Sequence, residues 1–349
     1  MSSKTRDGFT VGEHTIDAGT RKTVDLPVSV LSDHTPVTLS VHVVHGKRPG
    51  PVLFVSAAVH GDEVIGAEIV RRLLRTPALR SIRGTLLAIP IVNAFGLMNH
   101  SRYLPDRRDL NRSFPGSPKG SLASRLAHLF LTEIVERSDL GIDLHSAAVH
   151  RTNLPQVRVT PDRPEVMELA HVFGAPLTLT SKIRPGSLRD AADKKGVNIL
   201  LYEAGEGLRF DEFAVRAGVS GILRIMRHLD MIPGIATPKR KLPTIVSRSS
   251  SWLRAPAGGL LRSHKNIGEA VTEGDILGTI SDPFGEEETP VVAEFSGLMI
   301  GRTHLPIVNE GDGLFHVARI GSDIPAEKRI DGLTSELEDD VLLDEDEII

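Results

Sequence analysis

The residues whose types and spacing could do chemistry centre on His60-Gly61-Asp62-Glu63. An imidazole and a carboxylate three positions apart converge on one cation when the chain turns sharply between them, and Zn²⁺ accepts both at about 2.0–2.2 Å. Spacing alone says little, because roughly two His-x-x-acid pairs arise by chance in a chain of this composition. His14/Asp17 is the other such pair, in a polar N-terminal segment. Context separates the two. The apolar run Val52–Val59 before His60 reads as a buried strand. After it Ile65, Ile69, Val70, Leu73 and Leu74 fall at helical spacing, so a helix is expected to start near Asp62. His60 thus sits at a strand's carboxyl end and Glu63 in the first turn of a helix.

A catalytic zinc site takes a third protein ligand and keeps one position for water. His145 is the candidate, closing the short strand Leu140–His145. Asp143, two residues earlier, points to the same side of that strand; it either orients a ligand imidazole or is an ordinary capping or surface carboxylate. A metal hydrolase also needs a base. Glu203 ends the strand Val197–Glu203, and Glu206 in the following loop is the runner-up. Sites in open α/β sheets form beyond the carboxyl ends of strands, where His60, His145 and Glu203 all fall. Between Ser101 and Gly116 lies a proline-broken stretch carrying Arg102, Arg107, Arg108 and Arg112. Such a loop offers guanidinium forks for a substrate carboxylate and a cation for a developing oxyanion.

The rest of the chain must position these groups. At 349 residues it is long enough for two domains. Its net charge of −4 gives no pointer to nucleic acid or an anionic membrane. There is no cysteine, so any metal is held by His and carboxylates. No run approaches a membrane span, and the N-terminal residues lead into no hydrophobic signal core, so a cytoplasmic enzyme is expected.

Short strands fill residues 1–50, and from 51 to about 232 strands alternate with helices, including helices near Pro164–Phe173 and Phe210–Met231. The expected organisation is a catalytic domain at 1–234, a linker at 235–247, a small β domain at 248–322 and an acidic, mobile tail at 323–349. The β domain carries a repeat. Gly259-Leu260-Leu261 leads to Val271–Leu277 as Gly297-Leu298-Met299 leads to Val308–Phe315, which suggests a two-fold β-barrel. It resembles a biotinyl/lipoyl-type sandwich, but Ser281–Pro290 holds no carrier lysine.

Together, His60-Gly61-Asp62-Glu63, Asp109-Leu110-Asn111-Arg112 and Asp143-Leu144-His145 resemble the succinylglutamate desuccinylase/aspartoacylase family, relatives of zinc carboxypeptidases. The resemblance implies an α/β fold with a mixed sheet flanked by helices and a C-terminal all-β barrel-sandwich domain. It implies one Zn²⁺ per chain on His60, Glu63 and His145, with Glu203 as base and Arg102 polarising the scissile carbonyl. Asn111 and Arg112 would hold the substrate's α-carboxylate. The expected reaction is hydrolysis of the acyl amide of a small N-acyl amino acid, with a homo-oligomer as one possible assembly. Two alternatives stand beside it: a zinc carboxypeptidase acting on peptides, and a catalytically silent metal- or ligand-binding scaffold.

Overall fold

The computed structural model describes residues 6–161, 163–234, 244–320 and 326–338. A hairpin of β1 (Phe9–Val11) and β2 (His14–Ile16) precedes β3 (Thr20–Val30), β4 (Pro36–His45) and β5 (Arg48–Ala57). There follow α1 (Ile65–Arg75), β6 (Arg83–Ile89), α2 (Ala94–Met98), α3 (Leu122–Glu133) and β7 (Leu140–His145). The α/β part is completed by β8 (Arg151–Val159), α4 (Pro164–Phe173), β9 (Leu177–Thr180), α5 (Leu188–Lys194), β10 (Asn198–Glu206) and α6 (Glu212–His228).

Strands β10, β7, β5 and β6 run parallel at the centre of one large mixed sheet. Antiparallel β8 borders them on one side and β4 and β3 on the other. A central parallel strand is buried on both faces, which explains the unbroken apolar run in β5. Leu53 and Val55 join the core beneath α1, α4 and α6, while Phe54 joins the opposite core with α3 and α5. Helix α1 begins at Ile65, three residues later than expected, because His60–Val64 form the turn that carries the site.

Nine further strands make the C-terminal β region: β11 (Ile245–Ser247), β12 (Ser250–Arg254), β13 (Gly259–Ser263), β14 (Ala270–Val271), β15 (Ile276–Ser281), β16 (Glu288–Val292), β17 (Gly297–Thr303), β18 (Ile307–Val308) and, closing it, β19 (Gly313–Ala318). The sequence repeat is realised as an exchange: β13 of the first half pairs with β18, and β17 of the second pairs with β14. The pairings make two layers over a shared apolar core rather than one detached barrel. One layer, β12-β19-β17, continues into the large sheet through β17 and β8, with Gly301 opposite Asn153.

Two boundaries differ from expectation. Ile245–Ser247, placed in the linker, is a strand paired parallel with β9; residues 235–243 of that linker lie outside the described residues. Part of the expected mobile tail is helix α7 (Ala326–Glu338), anchored by buried Leu337 against the core beneath α6. Its remainder, 339–349, lies outside the described residues.

Candidate active site

The turn after β5 is shaped by crowding. Ala58 takes a left-handed φ of 49°, and Val92 and Asn93 donate backbone hydrogen bonds to the carbonyls of Ala57 and Ala58. Gly61 is required by close approach, since a Cβ there would lie 1.8 Å from the Gly96 carbonyl carbon. The turn closes with Glu63 N–H donating to the His60 carbonyl at 3.1 Å. Strand β7 lies beside β5 in parallel register, so its end brings His145 to the same place.

The result is a buried cluster. His60 Nδ1 lies 2.7 Å from Glu63 Oε1, and His145 Nδ1 lies 2.7 Å from Glu63 Oε2. All three side chains are buried, and one donor atom from each lies within 4.8 Å of the others. The far nitrogen of each ring also meets a carboxylate. His145 Nε2 is 2.7 Å from Asp143 Oδ2, and His60 Nε2 is 3.2 Å from Asp109 Oδ1. Ser56 Oγ donates to the other oxygen of Asp143 at 2.8 Å, whereas Arg102 donates to Asp109 at 3.0 and 3.1 Å. Arg102 also donates to Glu63 at 3.2 Å.

The electrostatics follow from this geometry. Burial would lower the His60 and His145 pKa values, but Glu63 with Asp109, and Asp143 with Glu63, outweigh it and raise both. Burial would raise Glu63, yet the two imidazoles hold it far below the carboxylate range. Asp109 is likewise held low against burial by His60 and Arg102. Three carboxylates thus surround two imidazoles at a buried point that attracts positive charge, which two ring protons or one divalent cation would supply. Two imidazole nitrogens and a carboxylate form a donor set suited to Zn²⁺.

Glu203 lies opposite His145 in the register of β10 and β7. Both its oxygens are occupied from β8: Asn153 Nδ2 donates at 2.9 Å, and Arg158 Nη1 lies at 3.2 Å. Glu203 lines the same pocket as His60, Glu63, Arg102, Arg112 and His145, a cavity of about 260 Å³. Glu206 does not line it. It accepts from the His150 N–H at 3.1 Å and borders a separate cleft with His304 and Arg209.

Asn111 lines the pocket too, with its Oδ1 accepting the Leu188 N–H at 2.8 Å at the start of α5. Arg112 is exposed there, with no ion pair among the described residues. The loop residues Arg107 and Arg108 do not line the pocket.

Several residues of the site escaped the sequence reading. Asp109 belongs to a quoted motif, but nothing in the spacing paired it with His60, 49 positions away. Asn153 and Arg158 ride on β8, whose Gln156-Val157-Arg158-Val159 alternation is a strand signal that Pro155 obscures. Arg184 and Arg189 form a second cationic wall. Burial and the neighbouring Arg158 and Arg184 push the Arg189 guanidinium down to about 10. The C-terminal region closes the rim with Trp252 and His316, stacked at 4.9 Å, while the Arg151 guanidinium lies 4.9 Å from the indole. Burial, with Arg158, pushes His316 down to about 3 and keeps it neutral.

A mixed α/β sheet with two histidines and a glutamate converging at strand ends defines the class of this chain. Residues 49–229 match the succinylglutamate desuccinylase/aspartoacylase catalytic domain, and the chain belongs to that family of N-acyl amino acid deacylases. It is 26% identical over 283 residues to the N-alpha-acetyl-L-2,4-diaminobutyric acid deacetylase of Halomonas elongata, spanning 78% of this chain and 83% of that one. The fold is similar to a crystal structure of succinylglutamate desuccinylase/aspartoacylase from Rhodobacter sphaeroides, at 24% identity, TM-score 0.77 and 90% and 97% coverage of the two chains. It is also similar to the product-bound ectoine utilization protein EutE (DoeB) from Ruegeria pomeroyi, at 22% identity, TM-score 0.76 and 86% and 94% coverage.

Proposed function

We propose that the chain is a Zn²⁺-dependent amidohydrolase that cleaves the acyl amide of a small N-acyl amino acid. The observation that carries this reading is the convergence of His60, Glu63 and His145 in one pocket with Glu203. These three residues would hold one Zn²⁺ per chain. When bound, Zn²⁺ supplies Lewis acidity toward the amide carbonyl and lowers the pKa of water. Asp143 and Asp109 fix the orientation of the two imidazoles through their far nitrogens. Glu203 acts as general base, taking a proton from the attacking water and returning it to the leaving amine. Asn153 and Arg158 hold its carboxylate in place from the adjacent strand. Arg102 places a guanidinium beside the ligand set, where it stabilises the oxyanion of the scissile carbonyl. Arg112, beside Asn111, is the clamp for the α-carboxylate.

Pocket size supports a small substrate: about 260 Å³, rimmed by Trp252 and His316, is small for a ligand site and leaves little room for a peptide. The cationic wall of Arg158, Arg184 and Arg189 favours an additional negative charge on the substrate. It favours a dicarboxylic acyl group such as succinyl over a second amine of the kind carried by the named substrate of the Halomonas relative. A cytoplasmic location is part of the same reading; among the described residues no helix is long and apolar enough to cross a membrane. The deciding experiment is turnover of a panel of N-acyl amino acids and short peptides, with metal analysis on the same sample. Peptides cleaved as fast as N-acyl amino acids would favour a carboxypeptidase, and metal without turnover of any amide a silent scaffold.

A further inference from the structure

At the opposite end of the parallel strands from the pocket lies a cleft of about 610 Å³. It is walled by the start of β3, the end of β4, the start of β5, the end of α1 and the segment Pro77–Ile82. Arg21, Lys47, Arg48, Arg75 and Arg80 line it, and no aspartate or glutamate does. Arg21, Lys47, Arg48 and Arg80 make no ion pair among the described residues. Between the cations lie apolar Leu74, Leu79 and Ile82. A cationic concentration of this kind stands out in a chain of net charge −4. Its role lies outside the proposed hydrolysis.

We propose that this cleft is the docking site of the chain's own acidic C-terminal segment, residues 339–349. Asp339-Asp340-Val341-Leu342-Leu343-Asp344-Glu345-Asp346-Glu347-Ile348-Ile349 carries six carboxylates, no lysine or arginine, and apolar residues that match the apolar floor. The segment starts close by. Leu337, near the end of α7, is buried, and its carbonyl accepts from Arg216 Nη1 at 3.2 Å. Arg216 and Arg72 share Glu212, and Arg75 of the cleft is one turn beyond Arg72 on α1. Eleven extended residues span about 36–40 Å, longer than that relay of three side chains and one helical turn. Docking would pin α7 across α1 and α6 from its far end.

The test uses the full chain, whose lack of cysteine lets labels be placed at will. Nitroxides at Ser81→Cys in the cleft and Ile348→Cys in the segment report one distance. The expected result is a narrow short-distance population. It should be lost in Arg48→Glu/Arg80→Glu and at about 1 M salt, where the Debye length falls to about 3 Å. Should that double variant fail to fold, neutralising Asp344, Glu345, Asp346 and Glu347 to Asn or Gln leaves the cleft intact and should cause the same loss. A broad distribution unchanged by charge reversal or salt overturns the proposal. So does a short distance that disappears on dilution with excess unlabelled chain, which would place the segment in a neighbouring copy. Tripolyphosphate binding in the cleft without moving the label would assign it to a small anion and equally overturn it.

Discussion

Both imidazoles at the centre are held by carboxylates at both ring nitrogens, so each candidate ligand is oriented before any metal arrives. His60→Ala, Glu63→Ala and His145→Ala should therefore each lose metal and activity together, read by elemental analysis and turnover on one sample. Full metal occupancy in His145→Ala would remove it from the ligand set. Glu203→Gln should keep the metal and substrate affinity while kcat falls by about 10²–10⁴-fold, as for lost general acid–base groups. A fall below tenfold would argue against Glu203 as base. The two pocket arginines should separate in kinetics. Arg112 has no carboxylate partner among the described residues, so Arg112→Ala should mainly raise KM, and only for substrates with a free α-carboxylate. Arg102→Ala should mainly lower kcat, by about 10²–10³-fold, the size of a lost oxyanion contact. Equal cleavage of free and esterified substrates would exclude the clamp.

Each element brings support of its own to these residues. Asp143 lies on the same strand as His145, while Asp109 lies in a loop that Arg102 ties down. Asp109→Asn and Asp143→Asn should each weaken metal affinity by about 10–100-fold, the cost of losing such a partner. Helix α1 is fastened to α6 by the buried Arg72, which donates to Glu68 at 2.7 Å and in bidentate fashion to Glu212 at 2.7 and 2.8 Å. Hydrogen bonds from Arg71 and Arg72 lower Glu68, and those from Arg72 and then Arg216 lower Glu212. A carboxyl with a lowered folded pKa stabilises the fold above its unfolded value, near 4.3, and loses that stabilisation as pH falls through the folded value. Arg72→Met should thus destabilise by about 2 kcal/mol at neutral pH. The difference should shrink in denaturant titrations repeated toward pH 3. A difference independent of pH would show that Arg72 acts by packing alone.

How far the elements were legible in the sequence depends on what kind of signal they carry. Helix α4 falls at the expected residues because Pro164 opens it and Gly174 closes it in a left-handed conformation. The strands that lead to His60 and carry His145 and Glu203 were legible because central parallel strands are written as apolar runs, although β10 runs on past Glu203 to Glu206. Strand β8 was not. Its Pro155 reads as a break, and with it went Asn153 and Arg158, the two groups that hold Glu203. The Asp109 contact was illegible for a different reason: it is a tertiary contact between a loop and a distant turn, and no local period reports it.

Across the whole molecule, the C-terminal β region is part of the pocket rather than an appendage. Because β17 adds to β8, Trp252 and His316 are brought against Arg151 and Arg158, and the rim is built from both parts of the chain. Opening it should relax the size limit: Trp252→Ala is expected to raise kcat/KM for longer acyl groups relative to short ones. The charge balance of the same pocket makes a stronger prediction. Arg112, Arg151, Arg158, Lys182, Arg184 and Arg189 all line it, and Glu203 meets only Arg158 among them in an ion pair. A crowd of like charges in a partly buried cavity is unfavourable until an anion arrives; Arg189 is lowered first by burial and then by Arg158 and Arg184. An N-acyl amino acid with a second carboxylate on its acyl group relieves that repulsion, whereas one with a free amine adds to it. For a fixed amino acid, succinyl substrates should thus exceed acetyl ones in kcat/KM by at least tenfold, about 1.4 kcal/mol, at low salt. The preference should narrow as salt is raised and shrink in Arg184→Gln and Arg189→Gln, since screening weakens exposed charge pairs. Faster cleavage of acetyl substrates bearing a free amine, at every salt concentration, would show that the cationic wall does not face the substrate.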